Sequence, residues 1–193
     1  MCAPALMGIV GKAGSAIHRR RVFATGSTLE CPDERTFPMS EIEHFDVIVV
    51  GAGISGIDAA VHLRRQCPTR SMVIVEARAN IGGTWDLFRY PGIRSDSDMY
   101  TLGYSFKPWR QAKAISDGPS ILKYLEETVR EEGIQDKVRF GHRVTAAAWD
   151  SNSARWLVTM RHAGNEVKLN CNFLHMCSGY YDYEEGFTTE FAG

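Results

Sequence analysis

Residues 51–56 have the types and spacing of a turn that binds phosphate groups. Gly51-Ala52-Gly53-Ile54-Ser55-Gly56 is a complete G-x-G-x-x-G pattern. In such a turn the first glycine permits a sharp bend, the second lets a pyrophosphate approach the backbone, and the third lets a helix pack closely against a strand. The amides at the start of that helix then face the phosphate charge. The pattern predicts a dinucleotide site formed by Gly51, Gly53, Ser55 and Gly56.

A carboxylate follows where a site of this kind needs one. Glu76 comes directly after Met72–Val75, a short apolar run that predicts the second strand of a sheet. A carboxylate at that position can accept hydrogen bonds from both ribose hydroxyls, and its charge disfavours a 2′-phosphate. The turn and Glu76 together predict dinucleotide binding, but they do not decide between FAD and NAD.

The elements that position these residues are predicted to form a βαβ unit. Phe45–Val50 is an apolar, valine-rich run typical of a buried parallel strand, and Ile54–Gln66 repeats apolar residues at helical spacing. Residues 77–117 are rich in Gly, Pro and aromatic residues without a sustained period, which predicts long loops with short helices. A second helix is expected from Gly118 to about Glu132, where Gly133 follows.

Short apolar runs in the last part of the chain predict an antiparallel meander. Strands are expected at Val138–Phe140, Val144–Trp149, Trp156–Met160 and Val167–Cys171, with a hairpin turn at Ala163-Gly164-Asn165. A further strand, Phe173–Cys177, is expected to return to the parallel sheet. The predicted fold class is α/β: a Rossmann-like domain with a parallel sheet, a βαβ unit and an inserted antiparallel meander.

Four further motifs occur in order after Glu76. They are Ile81-Gly82-Gly83-Thr84-Trp85-Asp86, Arg89-Tyr90-Pro91-Gly92-Ile93-Arg94-Ser95-Asp96, Asp98-Met99-Tyr100-Thr101-Leu102-Gly103 and Cys177-Ser178-Gly179-Tyr180-Tyr181. With these motifs the chain resembles the flavin-containing and Baeyer-Villiger monooxygenases over about residues 44–193. It is most similar to the ethionamide-activating branch of that family. The resemblance implies that the dinucleotide held by the first turn is FAD.

The resemblance also implies roles for individual residues. Asp96 matches an active-site aspartate near the flavin and the nicotinamide, and it is the expected catalytic residue. Val144 matches a position whose backbone contacts the adenine. The residues expected to border the isoalloxazine and the ribityl chain are Thr84, Trp85, Asp86 and Leu87, with Gly82 and Gly83 allowing close approach. Those expected on the nicotinamide side are Arg94 and Ser95.

The implied activity is that of a monooxygenase that uses FAD, NADPH and O2. Its substrate would be a small organic ketone in a Baeyer-Villiger insertion, or a sulfide or amine in sulfur or nitrogen oxygenation. A second G-x-G-x-x-G, for NADPH, does not occur in residues 57–193. We therefore expect a fragment that is incomplete at its C-terminus, lacks the NADPH domain and is inactive alone. A non-catalytic FAD-binding module is the alternative, whereas a flavin-dependent disulfide reductase is disfavoured because no C-x-x-C or C-x4-C pair follows the first turn.

Composition narrows the class of protein further. The chain has 193 residues and a formal net charge of −1, so nucleic acid is not expected as a partner. No apolar run approaches the roughly 18 residues of a membrane span, so no transmembrane segment is predicted. The five cysteines have no paired spacing, which predicts free thiols in the cytoplasm and no metal site.

The beginning of the chain differs from the rest in charge. Met1–Leu29 has no Asp or Glu but contains the basic cluster His18-Arg19-Arg20-Arg21. Such a segment is typical of an organelle transit peptide, but an internal start at Met39 would leave it as an extension or a start-site artefact. We expect residues 1–40 to be a basic, disordered extension and residues 41–193 to be the N-terminal part of the FAD-binding domain. A transit peptide would place the protein in an organelle instead of the cytoplasm.

Overall fold

A computed structural model describes residues 42–181, 188–189 and 191. The predicted extension of residues 1–40 lies outside the described residues, so both interpretations of it stay predictions. The elements are, in chain order, β1 (His44–Val50), α1 (Ile54–Gln66), β2 (Met72–Val75), α2 (Thr84–Leu87), α3 (Met99–Leu102), α4 (Gly118–Glu131), a 3-10 turn (Gln135–Lys137), β3 (Val138–Arg139), β4 (Arg143–Asp150), β5 (Arg155–His162) and β6 (Asn165–Met176).

The strands of the described region form a six-stranded sheet in the order β3-β2-β1-β6-β5-β4. β1 runs parallel to both β2 and β6, and β2 runs parallel to β3. β5 pairs antiparallel with β6 and with β4. The predicted α/β fold, a Rossmann-like parallel sheet joined to an antiparallel meander, is therefore confirmed.

The chain returns from the meander to the parallel sheet along a single strand. The prediction of separate strands at Val167–Cys171 and Phe173–Cys177 is wrong, because β6 is continuous from Asn165 to Met176. Asn170 and Cys171 pair with β5 on one side and with β1 on the other. A strand that changes partners in this way needs no turn, so Asn172, the polar residue between the two apolar runs, does not mark a break.

The other predicted elements agree with the structure to within two residues at each end. Residues 77–117 contain the short helices α2 and α3, as expected for long loops with short helices. The predicted hairpin turn joins β5 to β6, with positive φ values of 49° at Ala163 and 83° at Gly164. Two consecutive residues with positive φ match the twist of the flanking strands.

Alternate residues of β1 face two different layers of the molecule. Val47 and Val49 belong to a core that includes residues of α1 and α4, whereas Ile48 and Val50 pack with residues of β5 and β6. Successive strand residues point to opposite faces of a sheet. The helices therefore cover one face of the parallel strands and the meander covers the other. A fully buried aliphatic side chain contributes about 1.5–3 kcal/mol, so both layers hold the strand ends in place.

α4 is a capped amphipathic helix that packs against α1 and α2. The Asp117 side chain accepts a hydrogen bond from the Ser120 amide at 2.9 Å, which satisfies a free donor of the first turn. After the helix, Gly133 has a φ of 59°, the left-handed conformation that commonly ends a helix. None of the helices in the described part of the chain is long and apolar enough to cross a membrane.

Candidate functional site

The 51–56 turn joins the end of β1 to the start of α1, and its packing requires glycine at two positions. Gly51 has a φ of 101°, and a Cβ on it would lie 2.5 Å from the Cys177 carbonyl oxygen. A Cβ on Gly56 would lie 1.9 Å from the Gly51 carbonyl oxygen. Both distances are far below contact distance, so Gly51 and Gly56 let strand and helix meet.

Gly53 is a different case, because the packing of the residues that the structure describes does not require a glycine there. Its φ is −80°, which any residue adopts. A Cβ on Gly53 would lie 3.7 Å from the Gly83 Cα, an ordinary contact. The bare backbone at Gly53 leaves room for a group that is not part of the chain, as the close approach of a pyrophosphate would need.

The start of α1 is suited to an anion. The first amides of a helix have no partner within the helix, and the helix dipole adds positive potential there. In α1 the first intrahelical bond runs from the Ile57 amide to the Gly53 oxygen at 3.1 Å. The first turn has no acidic residue, and the Ser55 side chain is exposed. A phosphate that approaches this helix end would therefore meet amides and a hydroxyl, and no acidic side chain of the first helical turn.

Tyr104 holds the first residue of α1 through a hydrogen bond to its backbone. Its buried hydroxyl donates to the Ile54 oxygen at 2.8 Å. Burial, and then the neighbouring Tyr124, raise the pKa of Tyr104, so its hydroxyl stays protonated at neutral pH. The first turn of α1 is thereby held by a neutral donor.

Glu76 joins the end of β2 to the first turn. The residue is only 7% exposed, and its Oε2 accepts from the Ala52 amide at 2.7 Å. Its Oε1 accepts from the Arg78 amide at 2.9 Å. Each carboxylate oxygen has two acceptor positions, so both can still accept from a hydroxyl group. Glu76 thus holds the turn and keeps the acceptor capacity that its predicted role at the ribose requires.

A second glycine turn lies against the first. The Gly82 amide donates to the Ala52 oxygen at 2.9 Å, and Gly82 and Gly83 have φ values of 110° and 54°. A Cβ on Gly83 would lie 3.2 Å from the Gly53 Cα, tighter than ordinary contact. We call residues 51–56 and 82–87 together the glycine cradle. The two turns face each other through backbone atoms of their glycines, and α2 begins at the second turn.

Asp86 lies inside the second turn between two arginines. It is 4% exposed, and its carboxylate accepts from Arg78 and, at 2.9 Å, from Arg89. The Arg78 Nη1 also donates to the Gly83 oxygen at 3.0 Å. The carboxylate therefore stabilises the shape of the turn. Thr84, Trp85 and Leu87 are half-buried around it, and the predicted flavin contacts of these residues and Asp86 stay predictions.

Arg94, Ser95 and Asp96 lie on a separate ribbon, residues 93–99. Ser95 is 1% exposed, and its amide donates to the Ser116 oxygen at 2.9 Å. The Ser116 amide donates back to the Ser95 hydroxyl at 3.2 Å. The side chains of Arg94 and Asp96 are exposed. The structure thus buries the serine and leaves the predicted catalytic aspartate at the surface.

The start of α4 connects the ribbon to the second turn. A Cβ on Gly118 would lie 3.0 Å from Ile93 of the ribbon, and the Leu122 Cδ1 would lie 2.4 Å from a Cβ on Gly82. One helix end therefore packs against both segments. The expected position of Asp96 near a flavin and a nicotinamide stays a prediction.

Val144 lies in β4, partly buried against the core of the meander. The His142 amide, two residues before Val144, donates to the backbone carbonyl oxygen of Glu76 at 2.8 Å. The meander therefore begins next to the residue predicted to bind the ribose. This position is consistent with an adenine contact by the Val144 backbone, which stays a prediction.

Comparisons with known proteins fit this arrangement. The profile of the NAD(P)-binding Rossmann-like domain matches residues 49–115. FAD-containing monooxygenase EthA of Mycolicibacterium smegmatis is 57% identical over 151 residues, which is 78% of this chain and 31% of that protein. Putative FAD-containing monooxygenase MymA of Mycobacterium tuberculosis is 45% identical over 153 residues, again 78% of this chain and 31% of that protein.

By sequence, this chain is similar to the FAD-containing monooxygenases. It spans about a third of the length of these curated relatives, since 31% of each is covered. The predicted resemblance to flavin-containing and Baeyer-Villiger monooxygenases is thus confirmed for this part of the family's length.

Solved structures agree with the sequence comparison. The chain is similar to an oxidized steroid monooxygenase bound to NADP, with a TM-score of 0.66 and 34% identity, covering 78% of this chain and 28% of that one. It is also similar to OTEMO in complex with FAD and NADP, with a TM-score of 0.63 and 32% identity, covering 70% and 26% of the two chains.

Sequence analysis missed one residue of the site, Arg78. The signal was present, because an arginine follows Glu76 by two residues and an acidic residue occurs at position 86. What the sequence could not supply is the path of the turn that brings Arg78 to the Gly83 oxygen and to Asp86.

Proposed function

We propose that this chain holds FAD, as the N-terminal part of a monooxygenase that uses NADPH and O2. The observation that carries the proposal is Gly53: among the described residues, nothing in the packing requires glycine there, yet it faces the second glycine turn at the start of α1. The names of the relatives, and the FAD and NADP bound in a similar solved structure, support FAD and NADP as the cofactors.

Different residues of the site would bind different parts of the cofactor. Gly51, Gly53, Ser55 and Gly56 would receive the pyrophosphate, Glu76 the ribose and the Val144 backbone the adenine. The second turn would hold the flavin half through Gly83, Thr84, Trp85, Asp86 and Leu87. Arg94, Ser95 and Asp96 would lie on the nicotinamide side, with Asp96 as the catalytic residue.

FAD, when bound, supplies the redox chemistry that activates O2 after reduction by NADPH. The chain's own contribution is to bind and orient it: fixed amides compensate the phosphate charge, and the cores on both sides of β1 keep the strand ends rigid. The half-buried side chains of α2 would keep water away from the flavin half.

The substrate class and the location are part of the proposal. We infer a small organic ketone, sulfide or amine as substrate, since the similar structures include a cyclohexanone monooxygenase and a steroid monooxygenase. We infer a cytoplasmic protein from its free-thiol composition. The oxygenation reaction is proposed for a protein of the relatives' full length, of which this chain matches about a third.

Turnover of a full-length protein that contains this chain tests the proposal. The purified protein should be yellow, be bleached by NADPH without O2, and regain its colour in air. It should also convert a ketone or a sulfide to an oxygenated product. NADPH oxidation without oxygenated product across ketones, sulfides and amines would reject the monooxygenase assignment. Bound FAD that NADPH does not reduce would favour a non-catalytic flavin-binding module.

A further inference from the structure

Arg78 links the second turn of the glycine cradle to Glu76, whose carboxylate accepts from the Ala52 amide of the first turn. Its amide donates to Glu76 Oε1 at 2.9 Å, next to the first turn. Its Nη1 donates to the Gly83 oxygen at 3.0 Å, and its Nη2 donates to the buried carboxylate of Asp86 in the second turn. One residue therefore links the predicted ribose acceptor to the turn that would hold the flavin.

Arg78 is a stronger link than Arg89, the other arginine at Asp86. The Arg89 side chain is 73% exposed, so water screens its ion pair, whereas the Arg78 side chain is 31% exposed. The Arg78 guanidinium joins two residues, the Gly83 carbonyl and the Asp86 carboxylate, whereas both contacts of Arg89 are to Asp86 itself. The planar guanidinium fork permits this double contact, and a lysine ammonium does not reproduce it. Of the two arginines at Asp86, Arg78 therefore holds the second turn more firmly.

We propose that Arg78 is a positioning residue that keeps the two turns in the register that lets one FAD molecule occupy both. This inference rests on the proposed function, since it concerns the same cofactor site. The first turn and Glu76 would bind the ADP half of FAD, and the second turn would bind the flavin half. Without the Arg78 side chain each half-site and the Gly82–Ala52 hydrogen bond remain, but the second turn loses its tie through residue 78 to Glu76, so the two half-sites are held less firmly at their separation.

Binding of FAD and of ADP to the intact chain separates this role from a general loss of stability. In Arg78→Met the dissociation constant for FAD should rise at least about tenfold, while that for ADP should change by less than about threefold. Arg78→Lys keeps the charge at Asp86 but not both contacts, so its FAD affinity should lie between that of the unmodified chain and that of Arg78→Met. An equal loss of FAD and ADP affinity, or unchanged FAD affinity, would overturn the proposal.

Arg70→Met is the matched control. Arg70 also pairs with a carboxylate, with its Nη1 3.0 Å from Asp46 Oδ1, but it lies beside the start of β2, at the end of the strands away from the cradle. This variant also loses an arginine–aspartate ion pair and should bind FAD and ADP as the unmodified chain does. A loss of FAD affinity in Arg70→Met equal to that in Arg78→Met would also count against the proposal.

Hydrogen exchange gives a readout that needs no cofactor. The Gly82 amide, which donates to the Ala52 oxygen across the two turns, should exchange faster in Arg78→Met, while the amides of β1 should not change. Unchanged exchange at Gly82 would overturn the proposal. If the unmodified chain bound neither FAD nor ADP, the proposed function would fail and exchange alone would decide the role of Arg78. If Arg78→Met did not fold, Arg78→Lys would decide by the same measurements.

Discussion

At the scale of single residues, the two glycines that flank the start of α1 have different physical reasons to be glycine. A Cβ on Gly56 would collide with the Gly51 backbone at 1.9 Å, whereas a Cβ on Gly53 would make an ordinary 3.7 Å contact. Gly56→Ala should therefore lower the free energy of unfolding by about 1–3 kcal/mol, as overpacking does. Gly53→Ala should leave it within about 0.5 kcal/mol. Urea unfolding of both variants checks this, and equal losses would show that Gly53 is also required by packing.

Asp96 makes a second prediction at this scale, because its exposed side chain can be removed without opening a core. If it is the catalytic residue, Asp96→Ala in a full-length protein should keep the flavin absorbance and lower kcat for oxygenation by about a hundredfold. Ser97→Ala, an exposed neighbour, is the control. Loss of flavin in Asp96→Ala would point to a binding role, and unchanged kcat would remove Asp96 from the proposed chemistry.

At the scale of elements, sequence patterns located α1 and β2 residue for residue but missed the continuity of β6. Helical spacing and a strand between turn residues are local signals, and the boundaries Ile54–Gln66 and Met72–Val75 follow from them. The course of β6 depends on its neighbours. Asn172 interrupts the apolar pattern, but it is exposed, and the exchange of partners at Asn170 is decided by strands distant in sequence.

The exchange of partners in β6 relies on a buried polar side chain, which gives an element-scale prediction. Asn170 is fully buried; its side-chain Nδ2 donates to the Ile42 carbonyl oxygen at 3.0 Å, and its Oδ1 accepts from the His44 ring. Asn170→Ala leaves these groups unsatisfied and should cost about 1–3 kcal/mol. Asn172→Ala, at an exposed position, should cost less than about 0.5 kcal/mol. Denaturant unfolding measures both, and similar values would contradict the structural role of Asn170.

At the scale of the whole molecule, three layers bring the cradle together, and this is the level that sequence predicted least completely. The Rossmann-like order and the first turn could be predicted, because a strand, a glycine pattern and a helix occur in succession. The burial of Asp86 and its pairing with Arg78 could not, since both depend on how the 77–117 region folds against α4. The positions of Ser95 and Asp96 relative to the core likewise follow from the ribbon's pairing with residue 116.

Stability of the whole molecule should fall in acid through carboxylates such as Asp46. Hydrogen bonds from the Ser71 hydroxyl and amide, and then Arg70, lower the pKa of Asp46 to about 2. Because the folded pKa lies below the unfolded value of about 3.9, this stabilisation is complete above pH 4 and is lost as pH falls toward 2. The stability difference between the unmodified chain and Asp46→Asn should therefore shrink over that window, as urea unfolding at several pH values would measure. A difference that did not depend on pH would contradict this assignment.

The central claim is that the glycine cradle binds FAD, and titration of FAD into the intact chain tests it most directly. Flavin fluorescence should be quenched to saturation with the unmodified chain. In Gly53→Ala, which keeps the fold but fills the space left for the pyrophosphate, the affinity should fall at least about tenfold. Absence of saturable quenching in the unmodified chain, or equal affinity in Gly53→Ala, would contradict the account.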